Sequence, residues 1–153
     1  MLTNVLVIDD DEGTRKLFST VLADAGYLVE SVENGRAAVK LCKKGPFDIA
    51  LIDIELPDIK GVELLKTLRQ LRPKMVKIII TGHPSIENAV KSVNEKADGY
   101  LLKPVNIAEM LEMIRKILAE KTNEYVQVIK MIEQAKESTP FVEYKNPNEW
   151  RGY

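Results

Sequence analysis

Five short runs of aliphatic and β-branched residues mark the first two-thirds of this 153-residue chain. They occupy residues 4–9, 27–32, 47–53, 77–81 and 99–103. The first, third and fourth runs are almost continuously apolar, which is typical of strands covered on both faces. The pattern therefore predicts five β-strands, three of them deeply buried.

Between these runs, apolar residues recur at helical spacing. In residues 14–26 the apolar positions 17, 18, 21, 22 and 25 share one face, and Gly26 can end the helix. The same spacing appears in three further segments, residues 35–45, 61–71 and 85–93. A fifth helix is predicted from Asn106, which can form a capping-box-like pair with Glu109. Strands that alternate with such helices predict right-handed βαβ units and a parallel sheet.

Composition and charge narrow the class of protein. Hydrophobic residues make up 45% and charged residues 29% of the chain, and the net charge is −1, so no overall field attracts nucleic acid or an anionic membrane. The single cysteine, Cys42, cannot form an intramolecular disulfide and is expected in the core. With no signal-peptide pattern or apolar run near the roughly 20 residues that span a bilayer, we expect a cytoplasmic protein.

Polar residues follow four of the five predicted strands. The first strand ends in Asp9-Asp10, the third in Asp53, the fourth in Thr81 and the fifth in Lys103. Because parallel α/β sheets bind ligands beyond the carboxyl ends of their strands, we expect these side chains at one rim. Three carboxylates there form an oxygen-rich site that suits Mg²⁺.

This set of groups can support phosphoryl transfer. A carboxylate such as Asp53, at the end of a buried strand, can attack phosphorus to form an aspartyl phosphate. Lys103 would place a positive charge on the phosphoryl oxygens, and Thr81 would offer a hydroxyl donor. Asp11 and Glu12 are interpreted instead as acids that stabilise the start of the first helix.

The same residues resemble the receiver domain of two-component response regulators, a CheY-like family. Besides the strand-end residues, "DIELPDIKG" (53–61) matches the family pattern Asp-x-x-Leu/Met-Pro-x-x-x-Gly through Pro57 and Gly61. Tyr100, three residues before Lys103, matches an aromatic switch position. The resemblance covers about residues 1–119 and implies a flavodoxin-like (βα)5 fold with strand order 2-1-3-4-5.

The resemblance also implies a role for each residue of the rim. Asp53 would be phosphorylated by a sensor histidine kinase or phosphotransfer protein. Mg²⁺ would be bound by Asp10, Asp53 and the backbone carbonyl of Glu55, with Asp9 orienting a metal-bound water. The resemblance further implies that Thr81 and Lys103 bind the phosphoryl group. Thr81 and Tyr100 would act as the switch, on a face formed by the fourth helix, fifth strand and fifth helix. The peptide between Lys103 and Pro104 would be cis.

One other class of protein is weighed against the receiver. The segment "IDDDEGT" superficially resembles the start of haloacid-dehalogenase-like, Mg²⁺-dependent phosphatases, with Asp9 as nucleophile. Gly13 stands where that family has Thr or Val, and the later acidic pair is missing, so the signalling protein is favoured over an enzyme. His83, the one histidine, follows Thr81 by two residues, and its role stays open between a plain loop residue and control of water access.

Residues 120–153 lie beyond the predicted receiver. Positions 107, 111, 114, 118, 121, 125, 128, 132 and 135 follow the heptad spacing of a coiled coil, interrupted by Lys121. We expect the fifth helix to extend to about residue 137, before an irregular end, and to offer a surface for a homodimer. Thr122-Asn123 could instead break the helix and cap a second, shorter one. The tail carries no excess of basic residues, so direct DNA binding is not expected, and the downstream protein target is not readable.

Overall fold

The computed structural model describes residues 2–82, 85, 91 and 93–138. The strands are β1 (Asn4–Ile8), β2 (Leu28–Val32), β3 (Ile49–Asp53), β4 (Val76–Thr81) and β5 (Gly99–Leu102). Helices α1 (Glu12–Asp24), α2 (Gly35–Lys44) and α3 (Gly61–Leu71) separate the first four strands, and a C-terminal helix spans Ile107–Ser138. Each predicted strand is present, with ends displaced by one or two residues. Of the helix predicted over residues 85–93, most lies outside the described residues.

The five strands form one parallel sheet in the order β2-β1-β3-β4-β5. This is the predicted flavodoxin-like order, in which β2 lies on one side of β1 and the later strands are added on the other side. The register places Asp53 beside Ile80, and Thr81 beside Leu102, the residue that precedes Lys103. The ends of β3, β4 and β5 therefore meet at the same edge of the sheet.

Alternate strand residues build two apolar layers, because successive side chains of a strand point to opposite faces. One layer joins Leu6 and Ile52 of the sheet to Leu65 of α3. The other joins Val7 to Phe18 of α1 and to Ile114 of the C-terminal helix. Burying one such Leu or Ile completely contributes roughly 1.5–3 kcal/mol. Helices therefore cover both faces of the sheet, and the nearly continuous apolar runs are explained.

Two helices begin with side-chain caps. Asp11 is the N-cap of α1 and accepts hydrogen bonds from the Thr14 backbone N–H (2.8 Å) and hydroxyl (2.7 Å). Asn106 precedes the C-terminal helix and accepts from the Glu109 backbone N–H at 3.1 Å. Glu12 lies in the first turn of α1 as predicted, whereas Asp11 is the N-cap before that turn. The capping role predicted for Asn106 is observed.

One lysine is buried inside the sheet. Lys77 on β4 is only 2% exposed, and its Nζ donates to the carbonyl oxygens of Met75 (2.7 Å) and Arg72 (3.0 Å). Its backbone N–H donates to the Asp98 carboxylate at 2.9 Å. A buried amine is tolerated when its donors are satisfied. Lys77 therefore ties the end of the α3–β4 loop to the sheet.

The chain divides into two compact units, residues 1–118 and 119–153. The first contains the sheet and the two apolar layers, close to the receiver predicted over 1–119. In the second, the described residues continue the C-terminal helix to Ser138 without a break at Thr122-Asn123. Cys42 is fully buried, as expected. Among the described residues, no helix is both long and apolar enough to cross a bilayer.

Candidate functional site

Three carboxylates converge where β1 and β3 end. Asp9, Asp10 and Asp53 each offer an oxygen, and these oxygens all lie within 4.8 Å of one another. Asp9 is 2% exposed and Asp53 7% exposed, whereas Asp10 faces solvent. The predicted acidic cluster is therefore formed by two buried acids and one open to water.

Lys103 bridges the two buried acids. Its Nζ lies 2.8 Å from Asp9 Oδ2 and 3.1 Å from Asp53 Oδ2. The other oxygen of each carboxylate accepts a backbone N–H, from Asp11 at 2.9 Å and from Glu55 at 3.1 Å. The amine relieves the repulsion between the carboxylates and holds them at fixed positions.

Burial and charge act in opposite directions on these groups. Burial raises the pKa of Asp53 above its ordinary value of 3.8, and the nearby Asp9 charge adds to this, against the Glu55 N–H and Lys103, which lower it. Burial disfavours the charged amine of Lys103, but the hydrogen bond to Asp9 and the charges of Asp53 and Asp9 outweigh it and raise its pKa. Asp53 is thus costly to ionise even beside Lys103, and a further cation would lower that cost.

The donor set fits a hard cation. Carboxylate and carbonyl oxygens are the ligands that Mg²⁺ takes, usually one or two carboxylates with several waters retained. Asp10 faces solvent and offers an oxygen within 4.8 Å of one from Asp53, so a hydrated ion can approach the cluster from the Asp10 side. No softer ligand, such as a thiol, belongs to this cluster among the described residues. The chemistry of the donors therefore suits magnesium.

Thr81 and Tyr100 lie on neighbouring strands beside Lys103. Thr81 is fully buried at the end of β4, and its carbonyl accepts the Lys103 backbone N–H at 2.7 Å. Tyr100 packs against the apolar layer of α2 and α3, and burial raises the pKa of its hydroxyl. That hydroxyl is buried without a hydrogen-bond partner among the described residues. The Lys103–Pro104 peptide is cis, as the resemblance implies. His83 lies outside the described residues.

The loop that follows Asp53 is closed on itself. The Gly61 N–H donates to the Ile54 carbonyl at 2.7 Å, and Glu55 and Lys60 form an isolated bridge. A Cβ at Gly61 would lie 2.3 Å from the Asp53 carbonyl oxygen, so a glycine is required there. The family pattern around Gly61 thus has a steric cause.

Two contacts near the rim were not predicted. Arg15 Nη1 donates to the Asp9 carbonyl at 2.8 Å. The Asp58 carboxylate accepts the backbone N–H groups of Gly35 and Arg36, both at 2.9 Å. The positions of Arg15 and Asp58 in the sequence do not indicate these contacts, because the partners are backbone atoms. For Asp58, the sequence shows only an acidic residue within "LPDIKG".

Comparisons with known proteins agree with this geometry. A family model described as "Response regulator receiver domain" matches residues 5–115. The probable transcriptional regulatory protein SilR of Salmonella typhimurium is 33% identical over 114 residues, which are 74% of this chain and 50% of SilR. The chain thus spans about half the length of the curated relatives it matches.

Solved structures give the same result. A CheY-like receiver domain from Methanospirillum hungatei JF-1 is 40% identical, with a TM-score of 0.79 over 81% of this chain and 99% of its own. A response regulator from Burkholderia pseudomallei, solved with a phosphorylated aspartic acid, calcium ion and citrate, is 28% identical, with a TM-score of 0.70 over 90% and 87% of the two chains. The haloacid-dehalogenase alternative finds no support in these matches. The chain belongs to the response regulator receiver domain family.

Proposed function

We propose that this chain accepts a phosphoryl group on Asp53 from a sensor histidine kinase or phosphotransfer protein. The observation that supports this most directly is the Lys103 amine, which joins Asp53 to Asp9 at distances of 3.1 and 2.8 Å. The amine places a positive charge where phosphoryl oxygens would gather. An oxygen of Asp53 would attack phosphorus while the bond from phosphorus to the donor nitrogen breaks, and that nitrogen keeps the electron pair.

The residues around Asp53 would bind either the metal ion or the phosphoryl group. Asp10, Asp53 and the Glu55 carbonyl would hold Mg²⁺, with Asp9 orienting one of its waters. When bound, the ion neutralises negative charge on the carboxylates and on the incoming phosphoryl group. Lys103 would bind one phosphoryl oxygen and the Thr81 hydroxyl another. Burial of Asp53 and Asp9 limits the water that competes with these contacts.

A labelling experiment tests this assignment. Asp53 should be labelled by a small acyl phosphate or a partner kinase only when Mg²⁺ is present. Asp53→Asn should abolish the label and Asp10→Ala should weaken metal binding strongly. Acid-stable labelling that survives Asp53→Asn would refute the proposal. Turnover of a small phosphoester over many equivalents would instead indicate a phosphatase.

We propose that Thr81 and Tyr100 carry the signal outward. The Tyr100 hydroxyl is buried without a partner among the described residues. Two arrangements of this side chain need differ by only a few kcal/mol for phosphorylation to shift their populations. Movement of Thr81 toward the phosphoryl group would alter the space beside Tyr100. The responding face would comprise the predicted fourth helix, β5 and the start of the C-terminal helix. Beryllofluoride should therefore shift backbone NMR signals across residues 82–105, and changes confined to the metal loop would refute this.

We also propose that two copies pair through the C-terminal helix. The second half of that helix exposes six large apolar side chains, each at least 43% exposed: Tyr125, Val126, Val128, Ile129, Met131 and Ile132. Three of them, Tyr125, Val128 and Ile132, continue the heptad to which the buried Ile114 belongs. Such a stripe favours burial against another apolar helix.

Sedimentation of the full chain tests the dimer. A double change of Val128 and Ile132 to lysine should give monomers, whereas Lys130→Glu on the opposite side of the helix should leave the dimer intact. Wild-type protein that runs as a monomer at tens of micromolar, like a truncation at residue 120, would refute it.

A further inference from the structure

The loop between β3 and α3, residues 54–60, is attached at its tip to the first turn of α2. Asp58 accepts the backbone N–H groups of Gly35 and Arg36 through its two oxygens, at 2.9 Å each. The next residue, Ile59, packs on Gly35 so closely that a Cβ there would lie 2.2 Å from Ile59 Cγ2. A charged contact and an apolar contact therefore fix the same point of the loop.

The attachment uses the free donors at the start of a helix. The first N–H groups of a helix have no partner within it. At α2, Asn34 takes the Ala37 N–H at 2.8 Å, and Asp58 takes the two before it. A carboxylate is favoured at this end of the helix dipole, and the Gly35 and Arg36 N–H groups hold the pKa of Asp58 below its ordinary value. Asp58 therefore reaches α2 as an ion.

The base of the same loop carries Glu55. Its N–H is fixed on Asp53 Oδ1 at 3.1 Å, and the loop closes where Gly61 donates to Ile54 at 2.7 Å. The bridge between Glu55 and Lys60 leaves a short tip, residues 56–59. Anchoring that tip on α2 restricts how far the Glu55 peptide can turn.

We propose that Asp58 is a positioning residue for the metal site: by holding the loop tip on α2, it fixes the backbone of Glu55, whose carbonyl serves as a ligand. This inference rests on the proposed function, which assigns the ligand. The resemblance to the receiver family implies no role for Asp58. If Asp58 merely capped α2, its loss would lower stability and leave metal affinity unchanged.

The experiment compares Asp58 with the other cap of the same helix. Wild-type protein, Asp58→Asn, Asp58→Ala and Asn34→Ala are titrated with MgCl₂ while the amide NMR signals of Asp10 and Glu55 are followed. Their unfolding in urea is measured in parallel. Asp58→Ala should weaken Mg²⁺ binding about tenfold, at the lower end of the loss usual when a group that orients a metal ligand is removed. Asp58→Asn, which keeps the shape and one acceptor, should fall between it and wild type.

Asn34→Ala is the matched control. It removes a cap from the same turn of α2 and should lower stability comparably. Among the described residues the Asn34 side chain bonds to Ala37 of its own helix rather than to the loop, so Mg²⁺ affinity should not change. Equal affinity in wild type and both Asp58 variants would overturn the inference, and so would an equal loss in Asn34→Ala. Wild-type protein that does not bind Mg²⁺ at all would instead refute the proposed function. Asp58→Asn keeps the comparison valid if the alanine variant does not fold.

Discussion

Replacing Lys103 with methionine keeps the aliphatic stem and removes the charge that joins Asp9 to Asp53. At 2.8 and 3.1 Å, each attraction amounts to roughly 5–6 kcal/mol at an effective dielectric constant of about 20. Desolvation of the three groups cancels most of this. Breaking a buried ion pair costs about 3–5 kcal/mol in practice, because a charge is left uncompensated. Since the Lys103 side chain is 27% exposed, we expect a loss at the lower end, about 3 kcal/mol, in metal-free protein.

Magnesium should change the outcome of this substitution. Without the amine, the carboxylates attract a divalent cation more strongly, so Mg²⁺ should bind Lys103→Met more tightly than wild type. Saturating Mg²⁺ should then raise the free energy of unfolding of the variant more than that of wild type. Phosphoryl labelling of Asp53 should nevertheless decrease, because the variant lacks the Lys103 amine that would bind a phosphoryl oxygen.

Urea unfolding with EDTA and with saturating MgCl₂ measures both effects. Lys16→Met is the matched control: Lys16 pairs with Glu12 at 3.0 Å, but the two side chains are 76% and 70% exposed. Such a pair contributes at most about 1 kcal/mol, so little change is expected. If Lys103→Met were as stable as wild type in EDTA, or bound Mg²⁺ more weakly, the counter-ion role of Lys103 would be wrong.

Three further substitutions test the site and its supports. Since the pKa of Asp53 is raised above 3.8, its ionisation lowers stability, an effect absent at pH below 3.8 that grows as the pH rises through the folded pKa. Asp53→Asn should therefore stabilise metal-free protein at mildly alkaline pH but not in acid, as urea unfolding at the two pH values would show. Asp11→Ala should cost about 1 kcal/mol in the same assay, because α1 loses its N-cap. Gly61→Ala should lower the melting temperature and cost roughly 1–3 kcal/mol, because its Cβ would lie 2.3 Å from the Asp53 carbonyl oxygen.

The sheet and the rim could be predicted from the sequence because both follow from simple periodicities. Apolar runs separated by helical segments predict a parallel sheet, and in such a sheet the ends of distant strands meet. That rule alone predicts one shared location for the strand-end residues Asp9, Asp10, Asp53, Thr81 and Lys103. Their contacts could not be predicted, since a strand-end residue does not reveal which oxygen its neighbour will reach.

The Lys77 and Asp58 contacts could not be predicted for another reason. In "VKIIIT" a lysine interrupts an apolar strand, and no sequence rule says that its amine finds the carbonyl oxygens of Arg72 and Met75. Asp58 is 22 and 23 residues from its partners, which are backbone atoms and carry no side-chain signature. Both contacts depend on the path of a loop, and loop paths are set by the packed structure.

The bridge formed by Lys103 also sets the formal charge of the site. Asp9, Asp10 and Asp53 contribute three negative charges and Lys103 one positive charge, which leaves a formal −2. A bound divalent cation would bring the sum to zero. A phosphoryl group on Asp53 would replace a carboxylate of charge −1 by a group of about −2, an excess of about one negative charge. In a setting this sheltered from water, a single added charge acts strongly on nearby dipoles. With the ion bound, the unphosphorylated site would therefore be balanced near neutrality, and under the proposed function the signal would be the loss of that balance.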